Sequence, residues 1–586
     1  MYQSHAGRFP SMLRFVTAGL IALLLVAVAP GANAQRLVAF PGAEGAGKFT
    51  SGGRGTATVF TTVYEVTSLD DTNLPGTLRY ACSQSATAAP SRTIVFRVCG
   101  TIHLLTQLRI PANTTLAGQT APGDGICLAD RPVTVNGNNV IVRFLRFRMG
   151  DRYQNIGMVN GAGADDAFGG RFNLKTIVDH CTMSWSTDEA CSFYQGDSTT
   201  LQWNLISEPL DYSYHFETGD TDFEHHGFGG VWGGRHASFH HNLIAHCKGR
   251  MPRFSGSGGL TPAVAGAEMA DFRNNVIYDW GSYSSNGGEG GSYNMVNNYY
   301  KYGPATSNGS TSGVAIKSMI FYPFFSAALP FPHAYLSGNF VDGYPNTTRN
   351  NWLGVAPGSA PRTDTAQVKV TTPFNTVALP TETAPAAYNA VLAQAGCVLP
   401  ARDALDQRIV NDVRNRTGGL IDVQGGFPAH VTPYSVSQVA WPVLTCGAAP
   451  ADTDHDGMPD AYETSRGLNP NNAADRAGVA ANGYTNLENY LNGLASVLLG
   501  NKSVEPKVGL GVYPNPAQEQ LTLTHPAARH DAIIEIYSFA GRRVLTATAQ
   551  AGTSQTALSL VGLAHGNYLV LYLGPDGSLT VKVVHE

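Results

Sequence analysis

Acidic and basic side chains that could bind a cation and remove a proton are concentrated between residues 165 and 253. Asp166 and Asp188 are 22 residues apart, and Glu189 follows directly. Arg250 lies further along the chain in Arg250-Met-Pro-Arg253. Carboxylate oxygens are the ligands that Ca²⁺ prefers in proteins. If one coil of the fold takes about 22 residues, we expect the carboxylates of Asp166 and Asp188 to lie one above the other, a geometry that invites a divalent cation.

A recurring pattern indicates how the segments could meet. A polar residue stands before an apolar pair at six places, in a region rich in Asn, Gly and short apolar strands. The spacing of 23 to 41 residues suits single coils of a parallel β-helix, some of them with loop insertions. Asn at a fixed place in each coil can form a hydrogen-bonded ladder from coil to coil. The alternative fold is an array of β-sandwiches. The six residues are His180, Asn204, Asn242, Asn275, Asn298 and Asn339.

Several motifs together resemble polysaccharide lyase family 1, the pectate lyases. Asp179-His180 is similar to the Asp-His element of that family, and Asp166-Ala167 to an element one coil earlier. His240-His241-Asn242, Arg250-Met-Pro-Arg253 and the opening at Phe40 complete the resemblance. It covers most of residues 36–447 and implies an all-β fold, a right-handed parallel β-helix.

The resemblance also implies roles for individual residues. Arg250 would remove the C5 proton of galacturonate, with Lys248 as a second candidate base, and Arg253 would bind the substrate carboxylate. Asp166 and Asp188 would be Ca²⁺ ligands, with Glu189 as a third or as a solvated neighbour. Asp179 and His180 would be buried structural residues. Positive charge from the cation and Arg253 should lower the pKa of Arg250, which implies an alkaline optimum.

The chain also departs from the family pattern. Ser192 replaces a further Asp, Ser255 replaces an Arg, and His225-His226 stand where a Lys is usual, so we assign His225 to substrate binding with Lys248. We expect cleavage of α-1,4-linked polygalacturonate by Ca²⁺-assisted β-elimination. The alternatives are a pectin lyase, a polygalacturonase-type hydrolase on the same fold, and a non-catalytic β-helix adhesin.

A second acidic segment has the spacing of a calcium-binding loop. Counted from Asp452, acidic residues stand at positions 1, 3, 5, 9 and 12, with Gly457 at position 6. This spacing lets side chains converge on one cation while glycine makes the turn. The segment resembles thrombospondin type 3 or dockerin-like modules, and we expect a Ca²⁺-stiffened spacer at 448–503. The expected ligands are Asp452, Asp454, Asp456, Asp460 and Glu463.

The two ends of the chain indicate export. Residues 1–34 have the charged, apolar and Ala32-Asn33-Ala34 regions of a signal peptide. Residues 504–586 alternate at period two and resemble the C-terminal sorting domain of type IX secretion, which implies secretion machinery as a partner. A carbohydrate-binding β-sandwich is the alternative for this unit. The β-helix domain would occupy 35–447, and we expect a secreted or cell-surface monomer.

Composition sets further limits. The net charge of −5 gives no bulk attraction for a polyanion, and we expect no nucleic-acid partner. No segment after the signal peptide is apolar enough to span a bilayer. The eight cysteines allow 105 disulfide pairings, and their connectivity stays open.

Overall fold

The fold is taken from a computed structural model of the chain, which describes residues 36–56, 59–154, 165–358, 360–500, 510–525, 532–538, 542–574 and 577–586. The predicted signal peptide lies outside these residues. Val38–Glu586 cluster as one compact unit. No helix in the described ranges is long and apolar enough to cross a membrane.

Short strands in three parallel sheets form the body of the chain, and each coil contributes to the sheets in turn. The site sheet, named for the residues at its edge, contains Leu108–Ile110, Val133–Val135, Phe168–Arg171, the start of Cys191–Gln202, Val231–Gly234, Arg253–Phe254, Ser285–Gly287 and Phe321–Pro323. The second sheet contains Thr62–Val66, Arg92–Phe96, Thr114–Ala117, Val140–Arg143, Leu174–Asp179, the end of Cys191–Gln202, Ala237–His240, Met269–Arg273, Ser292–Val296 and His333–Ser337. The third sheet contains Gly100–His103, Ile126–Ala129, Arg146–Arg148, Thr182–Ser184, Leu205–Ser207, Leu243–Ala245, Val276–Tyr278, Tyr299–Lys301 and Phe340–Val341.

These sheets enclose one continuous apolar core. Val178, Leu201 and Phe239 occupy the same place in successive coils and are fully buried. A single coil cannot bury such residues, so stacking supplies the apolar contacts that hold the solenoid together. The prediction of a parallel β-helix is confirmed.

An asparagine ladder runs along one corner of the helix. The side-chain amide of Asn204 donates to Oδ1 of Asn242 at 3.0 Å, and the same contact repeats from Asn242 to Asn275 and onward. The ladder continues through Asn298 and Asn339 to Asn351, a member that the sequence pattern missed.

The expected register of this ladder is wrong by one residue at its first coil. Val178 pairs with Leu201, which places Cys181 rather than His180 beside Asn204. The backbone N–H of Cys181 donates to Oδ1 of Asn204 at 2.9 Å. His180 instead has φ of 53° and stacks on Trp203, which has φ of 57°. The left-handed position is therefore the residue before each ladder asparagine from Asn204 to Asn339.

Replacing Asn275 by alanine should destabilise the protein by about 2–4 kcal/mol, because buried groups on both neighbouring coils lose their partners. Oδ1 of Asn275 accepts from Asn242, and its Nδ2 donates to Phe239 O and Asn298. Urea unfolding of Asn275→Ala against exposed Asn375→Ala measures the loss. An equal midpoint for the two variants would contradict a stabilising ladder.

Helices lie on the outside of the coils or connect them. The α-helices in the described residues are Leu78–Ser83, Pro345–Arg349, Thr365–Val368, Ala384–Gln394, Ala404–Asn415, Tyr434–Ser437, Asp460–Arg466, Asn486–Leu494 and Ser496–Gly500. Ala384–Gln394 and Ala404–Asn415 place Val391 and Ile409 against Leu205 and Leu243 of the third sheet. They cover an apolar face that would otherwise meet water.

One disulfide joins Cys99 in the early coils to Cys446 at the end of the predicted β-helix domain, 347 residues later. The other six cysteines are free and buried. Met458, Leu487 and Leu491 pack on Val95 and Ala117 of the early coils, so residues on both sides of the 447/448 boundary belong to one compact unit. The domain boundaries themselves stay predictions.

The C-terminal unit has the two antiparallel sheets expected of a β-sandwich. Its apolar side chains, including Leu521, Ile534 and Val570, are buried in a core of their own. The first sheet contains Gly511–Tyr513, Gln520–Thr524 and Gln555–Ser559, and the second contains Arg543–Ala549, Ala532–Ser538, Gly566–Gly574 and Gly577–His585. The C-terminal part of the fold prediction is confirmed.

Candidate active site

Two adjacent coils bring three carboxylates together at the edge of the site sheet. Asp166 and Glu189 each stand two residues before a strand, and those strands pair Phe168 with Cys191. The register therefore places Asp166 beside Glu189, whose backbone N–H donates to Asp166 Oδ1 at 3.2 Å. The expected stacking of Asp166 on Asp188 is wrong by one residue, yet oxygens of Asp166, Asp188 and Glu189 all lie within 4.8 Å of one another.

Two members of this carboxylate cluster, Asp166 and Glu189, have raised pKa values. Burial and the neighbouring Glu189 raise the pKa of Asp166 well above its ordinary value. Burial and Asp188 raise the pKa of Glu189 to about 7. Carboxylates whose pKa values rise together are short of compensating positive charge, a deficit that a hard cation with oxygen ligands would supply. The donor set of Asp166, Asp188 and Glu189 thus fits Ca²⁺.

Arg250 reaches the cluster from a later coil. It has φ of 53°, in the left-handed region that costs free energy for a residue with a side chain. Its neighbour must be small, because a Cβ on Gly249 would lie 2.6 Å from the Tyr283 ring. The guanidinium lies 4.1 Å from the centre of the Phe228 ring and forms an ion pair with Glu189. These contacts aim Arg250 at the carboxylate cluster.

The expected lowering of the pKa of Arg250 is not what the structure shows. Burial disfavours the charged guanidinium, but the Glu189 carboxylate outweighs it and raises the pKa above the ordinary arginine value. The sequence interpretation considered Arg253 and a cation as neighbours and left out an anionic partner. Glu189 is the group that accounts for the difference.

Two histidines complete the site, and the sequence interpretation missed both. His226 Nε2 lies 2.6 Å from Asp188 Oδ1, and His215 Nε2 lies 4.0 Å from Asp188 Oδ2. Burial alone would raise the pKa of Asp188, but the hydrogen bond from His226 brings it down to about 2. Glu224 orients His215 through Nδ1 at 2.9 Å. The pair His225-His226 was a visible signal, but it did not tell which ring faces inward.

Other predicted substrate-binding residues lie outside the carboxylate cluster. Arg253 follows Arg250 into the next strand and donates to Glu289 Oε1 at 2.9 Å. His225 is exposed and pairs with Asp211 at 3.0 Å. Lys248 Nζ donates to the backbone carbonyl of His225 at 3.0 Å and lies 3.4 Å from Asp211. His225 and Lys248 thus form a neighbouring polar group on the surface.

The departures from the family pattern have local explanations. Ser192 is buried, and its hydroxyl accepts from the backbone N–H of Val231 at 3.1 Å. Ser255 donates to buried Glu268 at 2.6 Å. Asp179, expected to be structural, is buried between Arg143 at 2.8 Å and His180 at 2.9 Å. Glu189 supplies the third carboxylate of the site that Ser192 does not.

A second carboxylate group gathers in the predicted calcium loop. Asp452, Asp454 and Asp456 lie within 4.8 Å of one another, as do Asp456, Glu463 and Asp475. Asp475 was absent from the predicted ligand set. Asp460 points elsewhere, since its carboxylate accepts from the backbone and hydroxyl of Thr453 at 2.7 and 2.8 Å.

Two fungal proteins are similar in sequence to most of this chain. A "Probable pectate lyase C" of Aspergillus flavus is 32% identical over 468 residues, which cover 78% of this chain and 94% of that relative. A protein of the same name from Aspergillus fumigatus is 31% identical over 495 residues, covering 81% of this chain and 98% of that relative.

Solved structures and a domain family also match. The major allergen from cedar pollen has a TM-score of 0.41 at 17% identity, covering 60% of this chain and 92% of its own. A Bacillus pectate lyase crystallised with trigalacturonate has a TM-score of 0.38 at 14% identity, covering 60% and 98%. Residues 511–586 match the secretion system C-terminal sorting domain. Because it shares 31–32% sequence identity with these relatives across 78–81% of its length, the chain belongs to the pectate lyase family.

Proposed function

We propose that this protein is a secreted lyase that cleaves α-1,4-linked polygalacturonate by Ca²⁺-assisted β-elimination. The observation that carries the proposal is the placement of Arg250 against the Asp166, Asp188 and Glu189 carboxylates at the edge of one sheet. A base beside a cation site suits removal of a proton next to a carboxylate. The relatives named as probable pectate lyases support the same activity, since the match covers 94% and 98% of their length.

The protein's own residues supply binding and proton transfer. Asp166, Asp188 and Glu189 would hold the cation, which when bound offsets the substrate carboxylate and makes the C5 proton more acidic. Arg253, which donates to Glu289, would bind a galacturonate carboxylate through its guanidinium. Arg250, once neutral, takes the C5 proton. The C5–H electron pair becomes the C4–C5 double bond as the C4–O bond breaks, and the departing oxygen takes a proton from solvent.

Ultraviolet absorbance tests the reaction class. The unsaturated uronate product absorbs, so we expect absorbance to rise when the protein meets polygalacturonate with Ca²⁺ and to stop rising when a chelator is added. Restoring Ca²⁺ should restore the rate. A rise on methylated pectin that a chelator leaves unchanged would favour a pectin lyase, and reducing ends without absorbance would favour a hydrolase. No release at all would favour an adhesin.

Export is the second part of the proposal. The match of residues 511–586 to the secretion system C-terminal sorting domain supports passage through type IX secretion machinery. A polymeric substrate lies outside the cell, which agrees with such a route. We accordingly place the enzyme in the medium or on the cell surface, where it would act as a monomer on pectic polymer.

A further inference from the structure

The carboxylates of residues 452–475 combine burial with oxygens that have no hydrogen-bond partner, as expected of a cation site. Asp452, Asp456 and Glu463 are more than nine-tenths buried. Both carboxylate oxygens of Asp454 and of Glu463 are buried without a hydrogen-bond partner, as are Asp456 Oδ2 and Asp475 Oδ1. Buried charges without partners are costly. Two triads of carboxylates that share Asp456 offer oxygen donors suited to a hard divalent cation.

The backbone of the loop is already shaped around that centre. Gly457 has φ of 92°, and its N–H donates to Asp452 Oδ2 at 3.1 Å. The N–H of Met458 donates to Asp456 Oδ1 at 2.8 Å. Asp475 arrives from beyond the following helix, and its Oδ2 accepts from the N–H of Asn469. The two ends of the segment therefore meet at the carboxylates.

The same loop packs on the first coils of the β-helix. Glu65, Val95 and Ala117 stand in one row of the second sheet, on successive strands. Met458 is fully buried and packs with Val95 and Ala117. A Cβ on Gly457 would lie 3.1 Å from Val63. The turn that presents the carboxylates thus also inserts Met458 between the helix Asn486–Leu494 and the coils.

Charged contacts join the loop to the same row. His455 Nδ1 lies 2.6 Å from Glu65 Oε2. Arg97 lies 2.9 Å from Glu65 and 3.5 Å from Asp452 Oδ2, so it touches both the coil and a carboxylate of the loop. Nearby, the Cys99–Cys446 disulfide ties the chain just before the loop to the same coils.

We infer that residues 452–475 form a Ca²⁺-type site whose occupancy clamps this segment onto the first coils of the β-helix and stabilises them. The sequence interpretation of a spacer predicts a cation that stiffens only its own loop. The clamp predicts that binding at the carboxylates is felt by strands Thr62–Val66, Arg92–Phe96 and Thr114–Ala117. A cation that neutralises the loop fixes the turn carrying Met458, so separating the segment from the coils requires release of the cation.

Hydrogen exchange of the full mature chain tests the clamp, with Ca²⁺ alone as the probe. At a Ca²⁺ concentration about 100-fold above its Kd, the opening of the three early strands should fall by about 100-fold relative to chelated protein. Strands Met269–Arg273 and Ser292–Val296 in distant coils serve as the internal reference. In Asp456→Asn and Asp475→Asn the response of the early strands should be lost, while Asp460→Asn should behave as wild type because its carboxylate bonds Thr453.

A further variant separates binding from coupling. Met458→Ala keeps all five carboxylates, so it should still bind Ca²⁺ by calorimetry but transmit less protection to the early strands. The active-site carboxylates are intact in every variant, so a response due to them would persist in Asp456→Asn. Protection confined to residues 452–475 in the wild type would overturn the clamp, and so would the absence of any Ca²⁺ response that Asp456→Asn removes.

Discussion

Replacing Arg250 by alanine is expected to lower kcat on polygalacturonate by about 10²–10⁴, the contribution of a positioned general base. Arg250→Lys should fall by a similar order, because a compact ammonium cannot reproduce the planar guanidinium that pairs with Glu189 and lies over the Phe228 ring. Initial rates from the absorbance of the unsaturated product measure both variants. An Arg250→Lys enzyme with near-full turnover would remove Arg250 from the role of base.

Lys248→Ala is the matched control for that experiment. Lys248 lies two residues away but donates to the backbone of His225 and pairs with Asp211, outside the carboxylate cluster. Its kcat should stay near that of the wild type. Glu189 raises the pKa of Arg250 and so keeps the neutral guanidine scarce at neutral pH, which means that the rate should increase toward alkaline pH as the guanidinium loses its proton. A kcat that is lost in Lys248→Ala and kept in Arg250→Ala would exchange the two assignments.

Asp188→Asn is expected to lower kcat by about 10²–10³ at fixed Ca²⁺, since it removes one charged oxygen ligand and the electrostatic stabilisation that ligand supports. Part of the loss should be recovered at higher Ca²⁺. His226 holds Asp188 in its charged form, with a pKa of about 2, so the wild-type carboxylate is available throughout the assay range. Rate against Ca²⁺ concentration gives both quantities.

The neighbouring Asp165→Asn provides the comparison. Asp165 accepts from the Tyr153 hydroxyl at 3.1 Å and does not belong to the carboxylate cluster. Its replacement should change the rate by less than tenfold and leave the Ca²⁺ dependence in place. Equal losses in Asp165→Asn and Asp188→Asn would mean that general destabilisation of this edge, not ligand loss, explains the effect.

The coil architecture could be predicted from the sequence because its signal repeats. Asn204, Asn242, Asn275, Asn298 and Asn339 each precede an apolar pair, and stacking makes that repetition a ladder. His180 entered the pattern one residue out of register, because its coil has Cys181 and no asparagine at the ladder position, which leaves two alignments possible. Only the pairing of Val178 with Leu201 distinguishes them.

The site could be predicted by residue type but less well by orientation. Asp166, Asp188 and Arg250 were singled out from the sequence, and the structure has Asp166 and Asp188 close together and Arg250 paired with Glu189 beside them. The sequence does not tell whether His225 or His226 faces Asp188, because neighbouring residues of a strand point to opposite sides. Asp475 was missed because it joins the loop from outside the twelve-residue spacing. Asp460 was counted because its spacing fits, although Thr453 occupies its carboxylate.

The cysteine arrangement has a consequence for biogenesis in an oxidising compartment. Eight thiols offer many wrong cross-links to an unfolded chain. Once the coils have stacked, six of them are sealed in the interior, and Cys99 and Cys446 are left side by side. Those two cysteines are 347 residues apart in the chain, so their bond encloses the sequence of every coil that follows Cys99. Oxidation after folding is therefore expected to join Cys99 to Cys446 and to leave the six buried thiols reduced.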